Sequence, residues 1–197
     1  YELILPDGTV KKGSLDGAGK VREDDIDVGE ATILLEGLHL ARWEPQTANV
    51  GDEVEMFARG VGLPEGGNVD FDVYVEGLEG EPLTSAQTTL SDGVARASFT
   101  YEYDENHEGT TPRLIFHAKA GDYFARSSSP LTIGDRVRGR FQRRDGSNAG
   151  IVHYTMKLSD GTERHGASDN DGRFEEEGLP LGKILVKPRF GGWIEQG

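Results

Sequence analysis

The chain has 197 residues, of which 28 are Gly and none is Cys, and it carries a formal net charge of -14. Without Cys there is no disulfide framework and no thiolate chemistry, the acidic balance argues against nucleic acid or anionic membranes as partners, and no apolar run approaches the roughly 20 residues of a membrane-spanning helix. The Gly content favours turns and short strands over long helices.

The first predicted elements form a meander. "YELIL" reads as a short strand, and the Asp-Gly after it is a two-residue hairpin signal, because Gly tolerates the positive φ of a type I′ turn. "TVKKG" returns as its partner, "DGAG" makes the next turn, "KVRE" follows as a strand, and "IDVGEATILL" turns at Gly into a last strand.

Residues 37–134 read as a second module. "LHLARWEP" is its candidate first strand, with Trp43 expected in a core or at a domain junction. "GDEVEMFARGVGL" places Val54, Met56 and Ala58 on one face and Glu53, Glu55 and Phe57 on the other. "NVDFDVYVEG" alternates more cleanly, with Val69, Phe71, Val73 and Val75 inward. "SAQTTLSDGVARASFTYEY" and "RLIFHAKAGDYFARSSSPLTI" each read as strand, turn, strand. About seven strands with turn signals every 8–12 residues fit an immunoglobulin-like sandwich.

The last module, residues 135–197, repeats the first. From Tyr154 onward, "YTMKLSDGTERHGASDNDGRFEEEGLPLGKILVKP" aligns without a gap to the 35 residues from Tyr1. The copies share Tyr1/Tyr154, Leu5/Leu158, Asp7/Asp160, Gly8/Gly161, Thr9/Thr162, Gly13/Gly166, Asp16/Asp169, Gly19/Gly172, Glu23/Glu176 and Gly29/Gly182. Most of these form turns, so the repeat predicts a shared backbone without shared chemistry. The second copy is preceded by "VRGRFQRRDGSNAGIVH", a strand and loop that the first copy lacks. The first copy, residues 1–36, is therefore expected to be a sandwich short of its first strand, completed by upstream sequence or by another molecule. Charge also divides the modules: residues 1–35 carry -4, residues 36–134 carry -11 and residues 135–197 carry +1.

The second copy, above all "SDNDGRFEEEGLPLGKILV", resembles the transthyretin-like, or carboxypeptidase-regulatory-like, β-sandwich family. Its tandem with "LARWEPQTANVGDEVEMFARG" is similar to carboxy-terminal extensions of type VI secretion VgrG spikes and related contractile-tail proteins. The resemblance implies an all-β chain of tandem small β-sandwiches, transthyretin-like, immunoglobulin-like and transthyretin-like in order. It implies a structural or cargo-docking role without enzymatic activity, and it transfers no functional residues, since the matching motif consists of turn and core positions.

Motifs for catalysis are sparse. No nucleophile elbow, H-E-x-x-H or phosphate loop occurs. An EF-hand anchored on Gly172 would place Ala167 and Gly178 where ligating acids belong, so "SDNDG" reads first as a turn. The acid-rich stretches "EGLEGEP" and "YDENHEG" read as solvated surface. His39, His107, His117, His153 and His165 are scattered. His153 and His165 fall on strands predicted to pair, either as two solvated residues or as a two-His metal site.

The sharpest local feature is the basic run "RVRGRFQRR". On a strand Arg136, Arg138 and Arg140 share one face, and Arg143 and Arg144 follow in the loop. The strip reads as a charge-protected edge strand, as a protein-docking surface or as a polyanion-binding one. Trp193 and Ile194, after Gly-Gly, form a second candidate contact. The sequence expectation is a non-enzymatic segment without cofactor or metal, binding an effector, an adaptor or a neighbouring subunit in a secretion or tail assembly. The alternative is an extracellular structural or adhesive protein polymerised by strand donation.

Overall fold

A computed structural model describes residues 1–24 and 26–189 and the backbone of Ile194–Gln196. The strands, in chain order, are β1 (Glu2–Ile4), β2 (Val10–Lys12), β3 (Thr32–Leu34), β4 (Gly37–Glu44), β5 (Thr47–Asn49), β6 (Glu53–Val61), β7 (Asn68–Val75), β8 (Thr84–Thr89) and β9 (Val94–Thr100). They continue with β10 (Arg113–Ala120), β11 (Tyr123–Arg126), β12 (Leu131–Arg140), β13 (His153–Lys157), β14 (Glu163–Ala167), β15 (Arg173–Leu179), β16 (Ile184–Pro188) and β17 (Ile194–Gln196). A 3-10 turn at Glu105–His107 is the one helical element among the described residues, N-capped by Asp104, whose carboxylate accepts from the Asn106 amide. The chain is all-β and built of small β-sandwiches, as its composition and turn spacing predict.

Two compact units are drawn from interleaved stretches. One comprises Tyr1–Glu44, Glu55–Ser98 and Ile115–Ser129; the other comprises Pro45–Val54, Phe99–Leu114 and Pro130–Gly197. In the first, β4, β6 and β9 form one sheet, while β8, β7, β10 and β11 lie side by side in another. The inward faces largely follow the predicted alternation: Val54, Met56 and Ala58 are buried, as are Val69, Phe71 and Val73, whereas Val75 is half-buried and Tyr74, from the opposite face, is buried. Trp43, 2% exposed, stands edge-on to Phe116 with ring centroids 4.9 Å apart, and Phe116 meets Phe71 at 5.3 Å. Such edge-to-face pairs add about 0.5–1.5 kcal/mol each beyond their buried area, so Trp43 is a core residue.

One expectation for β6 needs correction. Phe57 lies on the face predicted to be solvated, yet it is buried. The guanidinium of Arg42 stacks 3.8 Å from its ring centroid and that of Arg96 at 5.0 Å. Glu44 and Glu55 hold both arginines in place, so the charged groups form a lid over the ring.

In the second unit, β12 and β15 pair antiparallel, and β14, β13, β16 and β17 form the facing sheet. Val137, Tyr154, Met156, Leu158, Phe174, Leu179, Ile184 and Val186 fill the space between, with Phe141 packed at the margin. Strand β12 is unusually busy. Leu131 and Thr132 pair with β10, Thr132–Gly134 run parallel to β5, and Asp135–Arg140 pair with β15 across an irregularity between Asp135 and Val137. The parallel partner β5 lies between the two predicted strands "LHLARWEP" and "GDEVEMFARGVGL", in a stretch to which the sequence reading assigned no element.

The first copy of the repeat forms the three-stranded sheet β2-β1-β3 in the first unit. Its pairing is that of the second copy, shifted by the sequence offset. Glu2↔Lys12 and Leu3↔Lys11 correspond to Thr155↔His165 and Met156↔Arg164. Glu2↔Leu34 and Leu3↔Ile33 correspond to Thr155↔Lys187 and Met156↔Val186. The turns agree as well. Asp7 accepts from the amide and hydroxyl of Thr9 as Asp160 does from Thr162, and Asp16 accepts from the amides of Ala18 and Lys20 as Asp169 does from Asp171 and Arg173. The predicted strand "KVRE" is a correction: residues 20–23 enter no ladder among the described residues. Their counterpart β15 is held by β12, and no strand pairs with residues 20–23 among the described residues.

Candidate functional site

The histidines do not converge on a site. His39 Nε2 lies 2.7 Å from the Leu35 carbonyl, and His165 Nδ1 lies 2.9 Å from the Thr155 hydroxyl. His153 faces Ala167 in the β13–β14 ladder, so it and His165 are not direct cross-strand partners. His107 meets the Tyr101 hydroxyl at 2.5 Å, and burial, reinforced by Asp104 and Tyr103, pushes that phenol up to about 12. His117 sits between the rings of Tyr74 and Phe124; burial lowers its pKa although Glu79 lies 3.5 Å away. Among the described residues no group of three or more His, Asp or Glu side chains could hold a metal ion.

The predicted basic strip lies on β12 and the loop beyond it. Gly139 turns inward: a Cβ there would stand 2.7 Å from the Phe174 ring, so the two strands approach closely at this point. Val137, also inward, enters the core. Arg136, Arg138 and Arg140 therefore share the outward face, as the two-residue period requires, but they are not equivalent. Arg136 is half-buried and tied to Asp52 at 3.3 Å and to Glu177 at 3.5 Å. Arg140 donates to the Asp171 carbonyl at 3.1 Å and to the Asn148 side chain. Arg138 is exposed and lies across the ladder from Glu175.

Arg140 pairs with Arg173 of β15, so two cations stand side by side. A shallow pocket over this face is lined by Arg138, Arg140, Asp169, Arg173, Phe174 and Glu175. The sequence reading missed Arg173 and Glu175. Once β12 and β15 are recognised as paired, their alternation with the buried Phe174 would have found them.

Arg143 and Arg144 lie exposed in the hairpin beyond β12, where the Arg143 amide donates to the Ser147 carbonyl and the Asp145 side chain accepts from Ser147. Trp193 lies outside the described residues. Ile194 is described only by its backbone, which pairs with Val186 at the edge of the last sheet.

The two copies also share a strut within each module. Tyr154, buried, donates its hydroxyl to Glu176 Oε1 at 2.8 Å, and Tyr1 donates to Glu23 Oε1 at the same distance. Burial first, and then the Glu176 carboxylate, raise the Tyr154 pKa; for Tyr1 the Glu23 hydrogen bond is the leading cause of a rise. In both copies the ring covers a Gly where a Cβ would collide with it, Gly166 under Tyr154 and Gly13 under Tyr1. This explains three shared positions together: a flat strand residue lets the ring lie across the sheet, and its hydroxyl reaches the next strand.

Glu2 is specific to the first copy. It is buried, 2.9 Å from Lys12 and 2.5 Å from Arg59 of β6. Burial pushes its carboxyl upward, but the hydrogen bonds and charges of Lys12 and Arg59 outweigh this and hold it below the usual carboxylate range.

No protein-family model and no curated protein sequence matches the chain. Among solved structures, it is similar to the native conformation of E. coli alpha-2-macroglobulin determined by cryo-EM, with a TM-score of 0.37 and 13% identity. The match covers 99% of this chain and 18% of that one. Among the described residues no helix is long and apolar enough to cross a membrane.

Proposed function

We propose that this chain is a structural and docking segment of a bacterial contractile injection spike of the type VI secretion kind, binding an effector or adaptor protein. The observation that carries this reading is the outward face of β12 and β15. Arg138, Arg140 and Arg173 stand on a paired, core-backed strand ladder beside Phe174, in a chain whose net charge is otherwise strongly negative. A cationic patch on a rigid ladder in an acidic protein attracts acidic protein surfaces and orients them. The resemblance of the second copy to transthyretin-like modules, and of its tandem with the middle segment to VgrG spike extensions, supports the same reading. So does the character of the repeat, whose shared residues serve turns and a strut.

The test is capture of effector or adaptor proteins encoded beside the parent gene, using wild type and an R138E/R140E variant. Binding weakened by about tenfold or more, equivalent to about 1.4 kcal/mol, supports the basic face. Unchanged binding removes it. A second reading, an extracellular structural or adhesive protein assembled by strand donation, is favoured by the unpaired edge of the first copy. A chain that stays monomeric in light scattering across its soluble concentration range argues against it.

A further inference from the structure

We infer that the Arg140–Arg173 end of the β12–β15 ladder is a clamp for one carboxylate, supplied by an Asp or Glu side chain of the partner protein. The inference rests on the docking reading above and narrows it to one row of the arginine face and one chemical group.

The outward face of this ladder has three rows that differ in charge. Arg136 is tied to Glu177 at 3.5 Å. Arg138 lies opposite Glu175, so that row also carries both signs. Arg140 lies opposite Arg173, and like charges directly opposite destabilise a strand pair. The neighbouring acids are engaged elsewhere. Asp169 Oδ1 accepts from the amides of Asp171 and Arg173, both at 2.8 Å, and Asp171 Oδ1 accepts from the Asn148 side-chain amide at 3.2 Å. Among the described residues neither Arg140 nor Arg173 forms an ion pair. An anion seated between them replaces a repulsion with charge-assisted hydrogen bonds.

The two guanidiniums are prepared differently. Arg140 donates from Nε to the Asp171 carbonyl at 3.1 Å and from Nη2 to the Asn148 side chain. These bonds fix its plane and leave the Nη1 hydrogens and the second Nη2 hydrogen free. Arg173 makes no side-chain hydrogen bond among the described residues, so its whole fork is free. Directly opposite Cα atoms are about 4.5–5.5 Å apart, which lets two long side chains converge on one group. A carboxylate matches this donor set: Arg173 meets it with a planar fork, and Arg140 donates to the remaining lone pairs. Holding Arg140 in place beforehand lowers the ordering cost of binding. Charge selects among oxyanions. The pocket is lined by three arginines and by Asp169 and Glu175, a balance of one positive charge, which a single carboxylate neutralises and a phosphate dianion exceeds. The group comes from a side chain because C-terminal carboxylates are captured by backbone amide nests, and here the amides of Asp171 and Arg173 are already taken by Asp169.

The experiment titrates the whole chain with the peptide acetyl-Gly-Glu-Gly-amide at constant ionic strength and mildly acidic pH, where glutamate stays ionised, and follows the arginine Nε–H signals by NMR. The expected result is that the Arg140 and Arg173 signals move on one saturable curve with a millimolar dissociation constant, while those of Arg143 and Arg144 stay in place. Arg173→Gln should weaken binding about tenfold or more, and Arg138→Gln about twofold or less. Both side chains are exposed, so the variants keep their fold, and unchanged amide signals in β13 to β16 check this. No saturable shift overturns the proposal, as does a loss in Arg138→Gln equal to that in Arg173→Gln. Two further peptides test the group and its source. Binding of acetyl-Gly-phosphoserine-Gly-amide more than about tenfold tighter overturns the carboxylate and indicates a phosphate site. Equal or tighter binding of acetyl-Gly-Gly-Gly with a free C-terminus overturns the side-chain source. The docking reading is judged separately: capture that depends on Arg138 and Arg140 without binding of the glutamyl peptide removes the clamp and keeps the docking face, and peptide binding with capture unchanged does the reverse.

Discussion

The two copies of the repeat have the same registers, turns and tyrosine strut in their shared meander, and they differ in the layer opposite: the β12–β15 ladder of the second copy has no counterpart among the described residues of the first. In the second copy, β12 converts a three-stranded meander into one side of a closed sandwich, and the residues beneath it become core. In the first, equivalent residues remain at the surface. Local sequence therefore sets hairpin register in both copies, whereas burial depends on an element far away in the chain. Turn chemistry is encoded within a few residues; a core needs two layers.

The largest expected effect follows from that difference. Leu179→Ala removes a fully buried side chain and should destabilise the second unit by about 2–5 kcal/mol. Ile26→Ala, a truncation at the equivalent place in the first copy, should cost clearly less, about 1 kcal/mol, because Ile26 is 36% exposed. Chemical denaturation of both variants measures the contrast, and equal losses would mean that Ile26 is covered in solution.

The strut should give a smaller contrast. Tyr154→Phe leaves the ring but removes a buried hydrogen bond to Glu176, at a cost of about 1–2 kcal/mol. Tyr1→Phe should cost less, because Tyr1 is half-buried where Tyr154 is 3% exposed, so water can reach the carboxylate that loses its donor.

The smallest effect is the pH dependence that Glu2 adds to the first copy. Glu2 binds its proton less tightly when folded, so the stability it contributes is present above the unfolded carboxylate value of about 4.3 and is lost as pH falls through the lower folded value. The second copy has Thr155 at this position. Thermal melts of wild type and Glu2→Gln between neutral and acidic pH should converge toward acid. Parallel curves would show that Glu2 does not titrate differently in the folded chain.

Much of this architecture was legible in the sequence. Asp-Gly and Asp-x-x-Gly turns locate the hairpins because few other residues accept those backbone angles, and Asp92 and Gly93, both at positive φ, bear this out between β8 and β9. Strict alternation identified the inward faces of β6 and β7. What escaped depended on distant pairing. Phe57 read as exposed because Arg42 and Arg96, which cover it, come from other strands. Thr47–Asn49 received no assignment because a parallel partner about 85 residues away leaves no local pattern. "KVRE" read as a strand because its residues suit one, although strand propensity alone supplies no neighbour. For the candidate docking face, the arginines of β12 were visible as a run, and Arg173 emerged only with the β12–β15 register.

Strand β12 has a mechanical consequence. Over ten residues it engages β10, then β5, then β15. Tension applied along it would be shared by successive ladders, including a parallel one whose bonds resist sliding together instead of opening one at a time. The resistance of the chain at this point comes from the order in which one strand meets its neighbours.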